Sequence, residues 1–189
     1  MKTIYLIHGW GGRPDKGWLL WLDKELSSRG FKFSSPIMPD PENPKIDIWV
    51  NYLKRIIKKP DENTYFIGHS IGCQTIIRYL ESLPKKTKIG GVFFVAGWFN
   101  LKNLETKEEK LVSEPWLKKP INFKKVKDKI KKAVALFSDD DPYVPLSDSE
   151  IFKEKLNTEI IIEKNKGHYI ESEIQKIPII LNKILEVTK

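Results

Sequence analysis

The sequence predicts an α/β protein built around a mostly parallel sheet. Apolar runs of strand length alternate with segments of helical periodicity from one end of the chain to the other. The runs carry few polar residues, which is typical of strands that are covered on both faces. With 189 residues, 40% of them hydrophobic and 31% charged, the chain has the size and balance of one globular domain spanning residues 1–189.

About six strands are expected, each followed by a helix or a longer connection. The strands are Thr3–Ile7, Phe31–Ile37, Thr64–Ile67, Gly91–Val95, Ala133–Phe137 and Glu159–Ile162. Helical periodicity predicts helices at Trp18–Arg29, Ile46–Lys58, Ile71–Leu83, Phe123–Lys131, Ser147–Leu156 and Pro178–Val187. Pro178 suits the first turn of the last helix, where its missing N–H is not needed. Because strands and helices alternate, the helices should cover both faces of the sheet.

Two connections are longer than such a unit needs. Residues 36–44 contain four prolines, and residues 97–122 separate the fourth strand from the next helix. Both are expected to be loops. Long loops in compact domains are often functional, so these two segments are candidates for shaping a site.

The surface is expected to be rich in lysine. The formal net charge is +8, from 33 basic and 25 acidic residues, and only four of the basic residues are arginine. Because arginine is the side chain that pairs bidentately with phosphate and guanine, nucleic-acid binding is not expected. The densest basic run, Lys124–Lys132, fits the solvated face of an amphipathic helix.

The cysteine content and the N-terminus indicate the cytoplasm. Cys73 is the single cysteine, so no intramolecular disulfide forms and no oxidising compartment is needed. The apolar stretch Ile4–Ile7 is too short for a signal peptide, and no run approaches the roughly 18 apolar residues of a membrane span. We expect a cytoplasmic protein without a membrane partner, and no feature indicates an oligomeric state.

The motif with the clearest chemistry is the pentapeptide at residues 68–72, Gly-His-Ser-Ile-Gly. It follows a buried strand and opens a helix. In that position G-x-S-x-G forms a nucleophile elbow, a sharp turn that exposes the serine while small glycines relieve crowding. On its own the pentapeptide fits a plain strand-to-helix turn equally well. Ser70 therefore needs partners before it is predicted to be a nucleophile.

A histidine base is one of those partners. The chain has only three histidines, and a serine needs a base within hydrogen-bond reach. His69 adjoins the serine and should point elsewhere, and His8 is expected to fix its own loop. His168 follows the last predicted strand and is the expected base. A lone histidine at this position would otherwise be an ordinary loop residue.

An acid must precede the histidine in the chain, also after a strand. Three consecutive aspartates follow the fifth predicted strand. Asp141 is favoured because Pro142 holds it extended, within the D-x-x-V-P pattern that follows the corresponding strand in many α/β hydrolases. Asp139 and Asp140 remain alternatives, and their other expected role is to cap a turn or a helix.

Two backbone donors are needed to stabilise an oxyanion. The N–H of Ile71, next after the serine, is one candidate. The loop after the first strand supplies the other, and Trp10 is favoured over Gly11, which would serve if the loop turned one residue later. Trp10, Trp98, Phe99 and Trp116 flank the loops at the carboxyl ends of the strands and could line an apolar acyl pocket. Core packing is an equally good interpretation of each.

These motifs together resemble a known family, the small serine hydrolases grouped with retinoblastoma-binding protein nine and the bacterial YdeN proteins. The resemblance covers nearly the whole chain. It is carried by His8-Gly9, the Met38-Pro39-Asp40-Pro41 segment with Trp49, the elbow at 68–72, Pro115-Trp116, residues 138–145 and Gly167-His168. It implies a minimal α/β-hydrolase fold that lacks the first two strands of the full fold and has no large cap domain. It also implies Ser70, Asp141 and His168 as nucleophile, acid and base.

The expected function is hydrolysis of a small acyl compound through an acyl-serine, with a short-chain carboxylester as the default substrate. Such chemistry requires no metal and no organic cofactor. Esters, thioesters, amides and short peptides all pass through the same kind of intermediate. One alternative is a protein-binding module that kept this fold but not the reaction, and a third hypothesis is nucleic-acid binding through Lys124–Lys132, which would weaken steeply with salt. The presence of all three residues in the expected chain order favours the enzyme.

Overall fold

Six parallel strands form a single sheet in the computed structural model, which describes residues 1–189. The strands are β1 (Thr3–Ile7), β2 (Lys32–Ser34), β3 (Thr64–His69), β4 (Ile89–Val95), β5 (Ile130–Ser138) and β6 (Glu159–Glu163). Their order across the sheet is β2-β1-β3-β4-β5-β6, and every neighbouring pair is parallel. The predicted fold class is therefore confirmed.

Seven helices accompany the sheet. They are α1 (Gly17–Ser27), α2 (Ile46–Ile56), α3 (Ile71–Ser82), α4 (Lys107–Lys118), α5 (Phe123–Lys127), α6 (Asp148–Leu156) and α7 (Pro178–Val187). As expected, Pro178 occupies the first turn of α7. None of these helices is long and apolar enough to span a bilayer.

The apolar side chains form two cores, one on each face of the sheet. One core packs α2, α3, α5 and α6 against one face of the sheet, and Trp116 of α4 also belongs to it. Trp49, Ile76 and Phe152 are among its other members. The other packs α1 and α7 against the opposite face, with Trp18 and Ile180 near its centre. Because alternate residues of each strand point to opposite faces, β3 and β4 are buried throughout.

The sheet has a topological switch point at β1. β2 lies on one side of β1, whereas β3 and all later strands lie on the other side. In open parallel sheets a crevice forms outside the carboxyl ends of the strands at such a point. The loop after β1 and the turn after β3 meet there. These are the two segments expected to carry Trp10 and Ser70.

Two elements are shorter in the structure than the sequence predicts, because their local patterns extend beyond the ends of the elements. The strand expected at Phe31–Ile37 is limited to β2, since the chain leaves the sheet before the proline-rich segment at residues 36–44. The helix expected at Phe123–Lys131 ends after five residues in α5. β5 then begins at Ile130, so the Lys124–Lys132 run is divided between a short helix and a strand end.

The segment Gly97–Asn122, which we call the β4–α5 segment, was expected to be a loop. That prediction was wrong, since the segment contains α4. The sequence of α4 does not predict a helix clearly, because Pro115 lies inside the helix and few of the side chains of α4 are apolar. A capping box marks the start of α4: the Thr106 hydroxyl accepts the Glu109 N–H, and the Glu109 carboxylate accepts the Thr106 N–H.

Candidate active site

The turn between β3 and α3 has the geometry of a nucleophile elbow. Ser70 adopts φ 52° and ψ −121°, a strained conformation for a residue with a side chain. Its N–H donates to the Val95 carbonyl at 2.9 Å, and its carbonyl accepts the Cys73 N–H at 2.9 Å. A Cβ on Gly72 would lie 2.2 Å from the Ile7 carbonyl oxygen. The second glycine is therefore required by the close packing of α3 against β1.

The three residues predicted as nucleophile, base and acid form a continuous hydrogen-bonded chain. Ser70 Oγ lies 2.8 Å from His168 Nε2, and His168 Nδ1 lies 2.8 Å from Asp141 Oδ2. Asp141 is 3% exposed, and its other oxygen, Oδ1, accepts the N–H groups of Tyr143 and Val144. The carboxylate is thus held by its own turn while it orients the imidazole.

The hydrogen-bond donors around Ser70 fix the direction of its proton. The indole N–H of Trp98 lies 3.3 Å from Ser70 Oγ, and an indole can only donate. The serine oxygen therefore accepts from Trp98, and its own proton is free to point at His168 Nε2. The Asp141 carboxylate, which accepts from Nδ1, selects the tautomer of His168 in which Nε2 is the acceptor.

The two other aspartates of the acid turn have different partners. Asp139 Oδ1 accepts the N–H of Asn165, and Asp140 Oδ1 accepts the N–H of Gly167. Hydrogen bonds from the Ser138 hydroxyl and from this N–H lower the pKa of Asp140. Both side chains bind the turn that precedes His168 without contacting its ring. They occupy the capping role that the sequence left open for them.

His69 lies nearer to the site than expected. Its Nε2–H donates to the carbonyl oxygen of His168 at 2.8 Å, and the two rings are 5.3 Å apart. Burial, followed by the proximity of His168, lowers the pKa of His69 to about 4. Its buried Nδ1 has no hydrogen-bond partner. His69 is therefore neutral near pH 7 and anchors the backbone of the base without adding charge beside it.

His8 fixes its own loop, in agreement with its sequence interpretation. Its Nδ1–H donates to the Gly9 carbonyl at 2.7 Å, and its Nε2 accepts the N–H of Met38 at 2.9 Å. Burial lowers the pKa of His8, which favours the neutral ring that these two bonds require. His8 thereby ties the loop after β1 to the proline-rich segment.

The loop after β1 distinguishes the two candidate oxyanion donors. The Gly11 N–H donates to the Pro41 carbonyl at 2.8 Å, whereas the Trp10 N–H makes no hydrogen bond within the protein. The Trp10 indole is fixed by the Glu42 carbonyl. On the opposite side, the Ile71 N–H is at the first position of α3, before the first intrahelical bond. Trp10 and Ile71 are thus the residues with free backbone donors.

A cleft of about 460 Å³ opens above Ser70. Its apolar lining includes Trp10, Trp98, Leu101, Leu104 and Ile170, and charged side chains stand at its edge. The structure therefore places Trp98 in the cleft, next to the serine. Arg13, Lys16, Glu109 and Glu171 belong to the lining as well. A cleft that combines apolar side chains with polar groups that can orient a ligand is typical of a small-molecule site.

Two of the aromatic residues expected to line the cleft are not there. Phe99 packs against Phe152 with ring centroids 4.7 Å apart, in the core below the segment. Trp116 is buried against Trp49, and its indole donates to the Pro44 carbonyl. Both satisfy the core-packing alternative, because their side chains point away from the site.

Other contacts at the site had no signal in the sequence. The Trp18 indole donates to the Tyr169 carbonyl, which fixes the residue after His168. The Glu171 carboxylate accepts the Arg13 N–H and so joins the histidine turn to the loop after β1. These pairs are more than 150 residues apart in sequence. Only the fold brings them together.

No group of three or more His, Cys, Asp or Glu side chains could hold a metal ion.

Comparison with protein families gives one match that spans almost the whole chain. The family described as serine hydrolase matches residues 4–185. The YdeN protein of Bacillus subtilis (strain 168) is 29% identical over 180 residues, covering 95% of this chain and 92% of YdeN. Serine hydrolase RBBP9 of Rattus norvegicus is 23% identical over 171 residues, covering 90% of this chain and 87% of that protein.

Solved structures agree with the fold. The crystal structure of the ydeN gene product from B. subtilis has a TM-score of 0.89 and 26% identity. The match covers 99% of this chain and 98% of the ydeN chain. A carboxylesterase structure from the thaumarchaeon Nitrososphaera gargenis has a TM-score of 0.69 and 16% identity, and the match covers 99% of this chain and 90% of that chain. At that identity the second likeness concerns the fold alone.

Proposed function

Because this chain belongs to the serine hydrolase family, we propose that it hydrolyses small carboxylic esters through a covalent acyl-serine at Ser70. One observation carries the proposal: the unbroken chain of hydrogen bonds from Asp141 through His168 to Ser70, with 2.8 Å at both links to the histidine. A serine hydroxyl becomes a useful nucleophile only when a positioned base can take its proton. The cleft above Ser70 supplies the space for a small ester.

The first half-reaction forms the acyl-enzyme. His168 Nε2 takes the Ser70 proton as Oγ attacks the ester carbonyl, and Asp141 stabilises the imidazolium that results. When the tetrahedral intermediate collapses, the bond to the alcohol oxygen breaks, and His168 returns the proton to that oxygen. The alcohol leaves, and the acyl group remains on Ser70 as a new ester.

The second half-reaction uses water. His168 takes a proton from a water molecule, whose oxygen attacks the acyl-serine carbonyl. The bond to Ser70 Oγ then breaks, and the serine recovers its proton from His168. The net reaction is the addition of one water to the ester, which gives a carboxylic acid and an alcohol.

The oxyanion of each intermediate would be bound by the N–H groups of Trp10 and Ile71. Support comes from the hydrogen bond that already occupies Gly11 and from the free donors of the other two. The start of α3 adds its dipole to the same point, which favours negative charge there. Because hydrogen bonds already fix the loop after β1, the Trp10 N–H needs little reorganisation when negative charge develops on the substrate oxygen.

A fluorophosphonate probe tests the proposal, because it reacts covalently with activated serines. We expect labelling of the wild-type protein and none of Ser70→Ala or His168→Ala, and we expect turnover of short-chain p-nitrophenyl esters by the wild type alone. Circular dichroism checks that the variants are folded. If folded wild-type protein neither labels nor hydrolyses any ester, the catalytic proposal fails. The protein-binding alternative would then be pursued by pull-down.

A further inference from the structure

Two polar side chains of α3 are buried although the proposed reaction does not use them. Gln74 is 1% exposed and Arg78 is 4% exposed. They lie one turn apart, and Arg78 Nε donates to Gln74 Oε1 at 3.2 Å. A charged group is rarely buried without an ionic partner, yet the hydrogen-bond acceptors of Arg78 are all neutral. The pair therefore requires an explanation beyond packing.

Their other partners all belong to the β4–α5 segment. Gln74 Nε2 donates to the Trp98 carbonyl at 3.1 Å, near the start of the segment. Arg78 Nη2 donates to the carbonyls of Trp116 at 2.8 Å and Lys119 at 2.9 Å, near its end. Two side chains of the helix that begins at the nucleophile thus hold both ends of this segment.

The C-terminal end of α4 is a favourable place for the guanidinium. The last carbonyl groups of a helix have no intrahelical partners, and the helix dipole makes that end negative. Burial lowers the pKa of Arg78, but an arginine remains charged in a protein. The cation therefore replaces its lost hydration with the carbonyl oxygens of α4 and its C-cap.

Between these two anchored ends, the segment forms one wall of the cleft. Leu101, Leu104 and Ser113 line the cleft from this side, and Trp98 contacts Ser70 Oγ. The segment has further anchors near its start: the Asp148 carboxylate accepts the N–H groups of Phe99 and Asn100, and the Lys102 N–H donates to the Tyr143 carbonyl. The Asp148 anchor lies next to Trp98, before the start of α4.

We propose that Gln74 and Arg78 are positioning residues that hold the β4–α5 segment as the apolar wall of the cleft, and that they thereby set the preference for the length of the ester's apolar chain. This inference rests on the proposed function. The wall is carried by the same helix that positions Ser70, so its distance from the nucleophile is fixed. Loss of Arg78 loosens the α4 end, where the Trp116 indole still donates to the Pro44 carbonyl, while Asp148 keeps Trp98 in place.

The test compares Arg78→Met and Arg78→Lys with the wild type and with Arg55→Met, a matched change at an exposed arginine of α2. Two substrate series are used: p-nitrophenyl esters from acetate to octanoate, and acetates of alcohols from ethanol to octanol. In Arg78→Met we expect kcat/KM for the longest member of one series to fall at least about tenfold relative to the shortest, the scale of a lost hydrogen bond to a charged group.

The loss should appear mainly in KM, because the wall binds substrate and does not take part in bond making. Fluorophosphonate labelling of Ser70 should stay close to the wild-type rate. Hydrogen exchange should accelerate in residues 107–118 and remain unchanged in β3. Arg78→Lys, which keeps the charge but not the fork of donors, should give a smaller loss. Arg55→Met should behave as wild type in every assay.

Two results overturn the inference. One is an unchanged dependence on chain length in both series for folded Arg78→Met, whether or not exchange in α4 changes. The other is an equal loss for all esters and for labelling in folded Arg78→Met, which would mean that the residue acts on Ser70 itself. Failure of the proposed function is a separate result, since the wild type would then neither label nor hydrolyse esters. The exchange experiment would still test whether Arg78 anchors α4.

Discussion

The turns at the strand ends and the β4–α5 segment both border the cleft, but they are held in different ways. Ser70, Asp141 and His168 lie on short turns that follow β3, β5 and β6 directly. The serine and acid turns are fixed by hydrogen bonds to their own or adjacent backbone, and the histidine turn is tied to the neighbouring acid turn by the Asp140 carboxylate. The β4–α5 segment is fixed by side chains from distant parts of the chain, chiefly Arg78 and Asp148.

In the proposed reaction, the turns carry the groups that make and break bonds, and the segment contacts the substrate. Chemical groups must be held within a fraction of an ångström of their working geometry, and short turns on a rigid sheet achieve this. A wall that selects substrates can be supported by a few removable anchors. Substitutions at the turns should therefore have large effects on rate or folding, and those in the segment should have smaller and more local effects.

The largest effect is expected for Asp141→Asn. The amide keeps the shape and the acceptor oxygen for the Tyr143 N–H, but it can stabilise neither the required tautomer of His168 nor its positive charge. We expect kcat to fall by about 10³ to 10⁴, as the loss of a triad acid does elsewhere, with little change in the melting temperature. Ester turnover and thermal unfolding measure the two quantities.

Asp139→Asn and Asp140→Asn are the matched controls in the same turn. Because these side chains bond the backbone before His168 and, in Asp140, the Ser138 hydroxyl, but not the His168 ring, each substitution should reduce kcat far less than Asp141→Asn. A loss in Asp140→Asn equal to that in Asp141→Asn would remove the assignment of Asp141 as the acid.

The next effect concerns the folding of the elbow. In Gly72→Ala the new Cβ would collide with the carbonyl oxygens of Ile7 and His8, at 2.2 and 2.7 Å. These atoms belong to β1 and its end and cannot move aside without disturbing the sheet. We expect the free energy of unfolding to fall by about 3 kcal/mol or more, measured by urea denaturation.

Gly30→Ala is the control for this substitution. Gly30 has φ +81°, but nothing lies within 4 Å of the Cβ position. Its cost should be limited to backbone strain, about 1 kcal/mol. Equal costs at the two positions would mean that the elbow tolerates more rearrangement than its packing indicates.

The same contrast explains what the sequence could predict. The elbow, the acid turn and the histidine turn follow strands whose apolar runs are evident, so local patterns were sufficient to predict that Ser70, Asp141 and His168 lie together. The α4 helix was missed although Thr106 and Glu109 give a local capping signal, because Pro115 interrupts its pattern and the contacts of Arg78 with its C-terminal end come from a distant helix. Phe99 and Trp116 were misplaced for a related reason: the sequence gives their aromatic character but not the side to which they point.

His69 is a third such case, and it offers a test by pH. Its folded-state pKa of about 4 lies below the ordinary value of 6.5, so the unfolded chain takes up a proton as pH falls through 6.5 while the folded protein does not. This contribution to stability is therefore lost progressively between about pH 6.5 and 4. It amounts to at most about 2 kcal/mol between pH 7 and pH 5.

His69→Gln should remove that part of the pH dependence, because a glutamine amide can still donate to the His168 carbonyl but does not titrate. Urea denaturation of both proteins at pH 5 and pH 7 gives the comparison, and His8 contributes equally to each. Parallel curves for the two proteins would mean that His69 is not held neutral by its burial.

The smallest effect is expected at the start of α4. Thr106→Ala removes the hydroxyl that accepts the Glu109 N–H, a capping bond worth about 1 kcal/mol. Because Arg78 holds the other end of the helix, only the first turn should open, with amide exchange there faster by roughly fivefold for that energy. Thr87→Ala is the control, since that hydroxyl has no hydrogen bond. If exchange rose throughout residues 107–118 instead, the whole of α4 would depend on its N-terminal cap. The conclusion that Arg78 holds the segment at the other end of α4 would then be wrong.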